Sequence, residues 1–406
     1  MGKFWTVRIA SVVAALAGCF IFQTVATNLG NDYYLRLFLL AGLYVTLSVS
    51  LNLINGITGQ FSIGHAAFYM IGAYTAGILT RAYYEQQPLL PELWLVIMML
   101  AGGLFAALAG LLVGLPSLRL KGDYLAIVTL GFGEIIRIVA TNQQSVGGSY
   151  GFSFGPKVVA PWMVCLLAII TIAICRNLLK SAHGLPFLAV REDEIAASAM
   201  GVNVTKTKVA AFVLGSALAG AAGAILALNE GYLNPDIFKM DVSFLILTMV
   251  VLGGTGSITG SALAAIFLFL TIEIPRNIQT ADGQKVQITL ASLLMAGLAI
   301  AIAISLLRKI KDHFHGPPNQ RLIRNLGVIG GSIAGAIVLS MILNATTVMG
   351  DKTFEFDKLR MVILSIMLLV VMLLRPQGVL AHHEFSWDFV KRLFRKDHDD
   401  KAEVAS

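Results

Sequence analysis

Apolar positions in this chain are not scattered with an amphipathic period but gathered into long runs, near 7–27, 35–55, 60–80, 93–115, 122–140, 161–176, 207–228, 260–274, 287–307, 327–347 and 359–374. A helix needs about 20 apolar residues to cross the hydrocarbon core, so each run predicts a membrane-crossing helix. A shorter apolar piece at 243–253 ends in Gly253-Gly254-Thr255-Gly256 and predicts half of a broken or re-entrant segment. The expected fold is all-α. It is a polytopic membrane protein of roughly ten to eleven transmembrane helices, with one broken or re-entrant segment and one short polar helix between spans.

That short helix falls in Ser181 to Val209, the one clearly polar connector between two long apolar runs. It begins with Gly184 and Pro186, gathers Arg191, Glu192, Asp193 and Glu194, and runs through Ile195, Ala196, Ala197, Ala199 and Met200 to Gly201. Acidic residues suit the positive N-terminal end of a helix, and Gly201 is a natural stop. Ile195, Ala196, Ala199 and Met200 fall on one small, apolar side, with charge on the other. Small residues permit close approach by another surface. A solvated loop carrying a stray helix reads equally well from this stretch alone.

Composition agrees with the spans: 57% of residues are hydrophobic, 13% are charged and the mean hydropathy is +0.78, which excludes a soluble globular domain. The net charge of +7 is not a nucleic-acid footprint, because the basic residues sit between apolar spans. With the 181–209 loop placed in the cytoplasm, Lys3 and Arg8, Arg119 and Lys121, the 308–326 loop (Arg308, Lys309, Lys311, Arg321, Arg324) and the tail with Lys391, Arg392, Arg395 and Lys396 all fall inside. The Asn142 to Pro156 loop falls outside, and no strongly basic loop is left there. Both termini are therefore expected in the cytoplasm. No small-x-small cleavage site closes the first run, so it is expected as an uncleaved helix. Cys19, Cys165 and Cys175 all lie inside apolar runs and suggest neither a disulfide framework nor a metal cluster.

Two stretches combine glycine, hydroxyl and amide residues at membrane depth: Asn52 to Tyr74 and Leu252 to Leu263. Unwound backbone in a membrane is tolerated where it lines a cavity or is buried by protein, so Asn55, Gly59, Gln60, Ser62, Gly64, His65, Gly253, Gly254, Thr255 and Ser257 are candidate pathway residues. Mere helix packing is the competing reading. Ser62-Ile63-Gly64 and Ser257-Ile258-Thr259-Gly260 echo one another weakly. Glu134 and Arg137 stand at i, i+3 and can form a structural ion pair near the external end. His65 reads as a gating residue or a hydrogen-bonded core histidine. The pairs Gly110 and Gly114, Ala219 and Gly223, and Gly331 and Gly335 mark close helix packing.

No G-x-x-x-x-G-K-[ST] run occurs, and the only Gly-Lys pair is Gly2-Lys3, so any ATP must be bound by another subunit. There is likewise no H-E-x-x-H and no nucleophile elbow, so no enzymatic constellation is expected.

Asn52 to Tyr74 with its TGQFSIGHAAF core, Leu118 to Val139, Ala189 to Val204 (AVREDEIAASAMGVNV), Val250 to Gly260 and Leu374 to Leu380 (LRPQGVL) together resemble the permeases of branched-chain amino acid ABC importers. Glu194, Ala196, Ala197 and Gly201 match the "EAA" loop by which such permeases dock on their ATPases, with Ile195 interposed. The resemblance implies a type II importer membrane subunit in a bacterial inner membrane. It implies a homologous second permease, two P-loop ATPases that bind ATP and Mg, and a periplasmic or extracellular binding protein. Surrounding lipid would be the only other contact, with no cofactor in this chain and no nucleic acid. Leucine, isoleucine and valine are the implied substrates, with related small solutes beside them. Arg191, Glu192, Asp193, Glu194, Ala196, Ala197, Met200 and Gly201 become the expected coupling surface within the 184–206 loop.

The expected organisation is a core bundle over 1–275, an inserted helix pair over 276–350 with the basic loop 308–326, a final span within 351–380 and a polar tail over 381–406. The resemblance departs at 276–350, where the family pattern has a short turn. Adding two helices leaves the direction of the last span unchanged. A stand-alone secondary carrier and a membrane scaffold without transport activity remain as rival readings, although few acids lie at mid-membrane for proton coupling.

Overall fold

The computed structural model describes residues 18–20, 23–24, 32–83, 91–117, 122–155, 161–276, 287–289 and 353–355. Most of the first span, all but 287–289 of the span near 287–307, the whole of those near 327–347 and 359–374, the 308–326 loop and the tail lie outside the described residues. So do Gly331 and Gly335.

The principal helices are α1 (Asp32–Asn52), α2 (His65–Tyr83), α3 (Pro91–Ser117), α4 (Asp123–Asn142) and α5 (Pro161–Lys180). They are followed by α6 (Leu185–Glu192), α7 (Glu194–Ala199), α8 (Val204–Glu230), α9 (Met240–Gly253) and α10 (Ile258–Arg276). Five are long and apolar enough to cross a membrane: α1 with its extension to Ile57, α3, α4, α5 and α8. The all-α expectation gains a small exception. Phe152–Ser153 (β1) pairs antiparallel with Tyr232–Leu233 (β2).

The chain divides into two compact units, 1–270 with 364–406, and 271–363. In the second, Gln287–Thr289 (β3) pairs antiparallel with Thr353–Glu355 (β4), so the first residues of the run expected as a span near 287–307 are strand. The remainder of that expected helix pair is outside the described residues.

Helix α8 is the axis of the first unit. Asn203 caps its start, its side-chain oxygen accepting from the Lys206 amide at 3.0 Å, and Gly231 ends it in the left-handed region at φ 66°. Between these caps the Ala- and Gly-rich sequence keeps α8 narrow, and α3, α2 and α1 close around it. Gly72, Gly102 and Gly220 meet where α2, α3 and α8 cross; a Cβ on Gly72 would fall inside the Gly220 backbone. Lipid tails are as apolar as leucine, so such close backbone packing, rather than a hydrophobic drive, holds helices together. The expected small-residue pairs behave this way: Gly110 lies against Ser216, and Gly223 against the Tyr69 carbonyl.

Arg36 at the start of α1 pairs with Glu230 at the end of α8 at 2.9 Å, at the same end as the β1–β2 pair. The opposite end holds the end of α1, the α5–α6 connection and the start of α8. Those segments carry the candidate site.

Candidate functional site

Helix α1 does not stop cleanly. It widens into a π-helical turn over Leu53–Ile57, and the chain then runs without regular structure to Gly64 before α2 begins at His65. The span expected near 60–80 therefore starts five residues late, because the TGQFSIG stretch is used as a strap across the bundle end. The causes are local. The Thr58 hydroxyl donates back to the Ile54 carbonyl at 2.6 Å, and Gly59 takes φ 70°. Asn55 then closes the strap, donating from Nδ2 to the Ser62 carbonyl at 2.9 Å while its Oδ1 accepts from the Ser62 amide at 3.2 Å.

The second broken element lies directly beside it. Helix α9 ends at Gly253, Gly254 and Gly256 take φ 113° and 94°, and α10 restarts at Ile258. Asn52 joins the two breaks: its Nδ2 donates to the Ser257 carbonyl and its Oδ1 accepts from the Gly256 amide, both at 2.9 Å. A Cβ on Gly56 would collide with Asn52 and the Gly256 amide, and one on Gly253 with the Gly260 backbone. Of the two echoing stretches, Ser62-Ile63-Gly64 precedes its helix entirely, whereas Ile258-Thr259-Gly260 are already the first residues of α10. Ser257 Oγ accepts from the Gly260 amide at 3.1 Å, whereas Ser62 Oγ is buried without a hydrogen-bond partner among the described residues.

His65 is fully buried at the start of α2, its Nε2 2.8 Å from Ser50 Oγ. Ser50 Oγ also lies 3.0 Å from the Leu47 carbonyl, and His65 Nδ1 is buried without a hydrogen-bond partner among the described residues. Of the residues singled out in the sequence, Asn55 and Thr255 are half-buried, Gly59 is exposed, and Gln60, Ser62, Gly64, His65, Gly253, Gly254 and Ser257 are buried. The end of α1, through Asn52 and Gly56, and the α9–α10 break are thus in contact, and most of the singled-out residues are buried.

A cleft opens beside them between the start of α2, α4 and the start of α9, lined by Ile63, Gly64, Ala67, Glu134, Phe238 and Ser243 among others. Gly64 is the one residue of the expected pathway set that lines it. Glu134 and Arg137 do form an ion pair, at 2.8 Å, and Arg137 also lies 4.0 Å from Asp236.

The polar connector folds as two short helices rather than one. Asp193 is extended (φ −157°, ψ 115°) and caps the second, its Oδ1 accepting from the Ile195 and Ala196 amides at 2.8 and 3.1 Å. Gly201 takes φ 85° and ends the turn, as the sequence implied. Ile195 and Met200 are 76% and 84% exposed, and Ala196 and Ala199 are exposed beside them. The small apolar side thus faces away from the bundle. Ala197, in the same predicted surface, instead points inward and is buried.

The connector meets the strap directly through Arg191 and indirectly through Lys208 of α8. Arg191 Nη1 reaches the Gly56 carbonyl at 3.5 Å, and its side chain packs against Gly59. Glu194 pairs with Lys208, which is buried. Gln60 Nε2 donates to the Lys208 carbonyl at 3.4 Å. Sequence reasoning missed Asn52 and Lys208. An amide inside an apolar run, and a lysine one turn inside a span, each require a buried partner and could have signalled them.

Broken helices buried among long apolar ones, with a polar connector packed against one of them, define a multi-pass helical membrane protein. The family described as "Branched-chain amino acid transport system / permease component" matches residues 33–303, and the chain belongs to it. Similar proteins include the high-affinity branched-chain amino acid transport system permease LivM of Salmonella typhimurium, 35% identical over 58% of this chain and 62% of that protein. LivM of Escherichia coli K12 is 36% identical over the same shares, and LivH of Escherichia coli K12 is 25% identical over 56% of this chain and 80% of its own. The match thus spans about three fifths of the length of the two LivM proteins. No solved structure matches the chain at a comparable level.

Proposed function

We propose that this chain is the membrane-spanning permease subunit of an ATP-driven importer for leucine, isoleucine, valine or related small solutes. It has no ATPase site of its own and is worked through the 184–206 loop by separate subunits that bind ATP and Mg. A second, homologous permease completes the pathway, and a periplasmic or extracellular binding protein delivers the solute. The membrane is the bacterial inner membrane, with both chain termini in the cytoplasm.

The observation that carries this reading is the exposed apolar side of Ile195, Ala196, Ala199 and Met200, set at the bundle end where the connector grips the unwound strap. A solvated loop gains nothing from an outward apolar face; a docking surface requires one. Asn55, Gln60, Ser62, Thr255 and Ser257 line the path in this reading, with Gly59, Gly64, Gly253 and Gly254 allowing the backbone to pass closely and His65 bracing its wall. The path is sealed until the strap moves.

Reconstitution in vesicles tests it. The chain with its second permease, ATPases and binding protein takes up labelled leucine on addition of ATP, and the chain alone does not. Uptake by the chain alone under an ion gradient would instead make it a secondary carrier. ATP hydrolysis without uptake of any aliphatic amino acid would remove the substrate assignment.

A further inference from the structure

Lys208 is the least expected charge in the molecule. It lies in the first turns of α8, its side chain is 6% exposed, and its partner Glu194 belongs to the exposed docking helix α7. A buried lysine without an opposite charge is strongly disfavoured, so Glu194 and Lys208 are constrained to move together. The backbone carbonyl of Lys208 accepts from Gln60 Nε2 at 3.4 Å, and the same Nε2 donates to Thr58 Oγ1 at 3.1 Å. Gln60 Oε1 and Ser62 Oγ are buried without hydrogen-bond partners among the described residues. This stretch of the strap therefore holds unused hydrogen-bonding capacity that a rearranged state could satisfy. Arg191 braces it from the other side through Gly56 and Gly59.

We propose that the Glu194–Lys208 pair is the relay between the docking helix and the strap. A shift of α7 pulls Lys208, the start of α8 carries its carbonyl with it, and Gln60 draws the Thr58–Gly64 strap together with the adjoining Leu53–Ile57 turn, whose Gly56 abuts the Gly256 amide, away from the α9–α10 break. Glu194 and Lys208 are positioning residues in this scheme; neither touches the solute. The relay rests on the docking reading above, and the test separates the two.

Phe61 supplies the reporter, because it is the exposed large side chain of the strap. Phe61→Cys is introduced into a chain whose Cys19, Cys165 and Cys175 are replaced by alanine, and the chain is assembled with its ATPase subunits. Its reaction rate with a maleimide is compared without nucleotide and after trapping with ATP and vanadate. The relay predicts a change of about fivefold or more, the lower end of typical coupling between linked sites. In Lys208→Met, which removes the buried charge rather than stranding it, the change falls to near onefold while the ATPases still co-purify. In the exchange Glu194→Lys with Lys208→Glu the response returns, because opposite charges are paired again across the same two positions. A full nucleotide response in Lys208→Met, no recovery in the exchange variant, or no response in the parent overturns the relay. Failure of the ATPases to co-purify with the parent chain overturns the docking reading itself.

Discussion

Asn52 donates from Nδ2 to the carbonyl oxygen of Ser257 at 2.9 Å, 205 residues further along the chain, and so ties the end of α1 to the break between α9 and α10. Its Oδ1 accepts from the neighbouring Gly256 amide, which the break between the helices would otherwise leave unpaired, while the Ser257 carbonyl also accepts from the Ser261 amide and hydroxyl. Inside a membrane bundle no water stands ready to take over the Gly256 amide.

Asn52→Ala strands the Gly256 amide and leaves the Ser257 carbonyl to its Ser261 donors. An unpaired polar group removed from water costs about 1–3 kcal/mol, and a loss of that size is expected. Asn52→Asp, of equal size, does no better, since it sets a carboxylate oxygen against the Ser257 carbonyl. Thermal unfolding of the purified complex in detergent measures both, and an unchanged midpoint in either variant would show that the tie carries no stability.

At the α2–α3–α8 crossing, Gly72→Val forces a branched side chain into the Gly220 backbone. Overpacking of this kind costs about 1–3 kcal/mol. The expected outcome is reduced yield and earlier thermal unfolding, whereas Gly131→Val, which meets nothing within 4 Å, leaves both unaltered.

Ala196 and Ala197 are adjacent yet face opposite ways, so charging them should separate docking from folding. Ala196→Glu is expected to insert normally and lose solute-stimulated ATP hydrolysis. Ala197→Glu buries a charge in the connector and is expected to lower chain stability first. Equal behaviour of the two in a co-purification and unfolding comparison would remove the assigned faces.

Gly59 holds φ 70° against the Arg191 side chain, with 3.1 Å between a Cβ placed there and Arg191 Cγ. Gly59→Ala combines left-handed backbone strain, about 1–2 kcal/mol, with displacement of Arg191. A lower rate of transport at unchanged expression is expected, read by uptake in vesicles.

Much of this arrangement was written locally. Glycine beside hydroxyl and amide residues located both breaks, since only glycine enters those φ values cheaply and side-chain hydroxyls compete with the helix ladder. The polarity of Ser181 to Val209 located the connector. What escaped was set by pairings that the local pattern does not name. Nothing near Asn52 announces Ser257, nothing near Lys208 announces that Glu194 will bury it, and the inward turn of Ala197 depends on Asp193 splitting one expected helix into two. The late start of α2 has the same origin: the strap looks apolar enough for a span, but Asn55 ties it to Ser62 first.

The central claim is that the exposed apolar side of the 194–200 segment faces the cytosol, where separate ATPases grip it. Met200→Cys in an otherwise cysteine-free chain, treated with an impermeant maleimide, decides it: labelling in inverted membrane vesicles but not in intact cells is the predicted result. Labelling of Met200→Cys from outside intact cells would contradict the account.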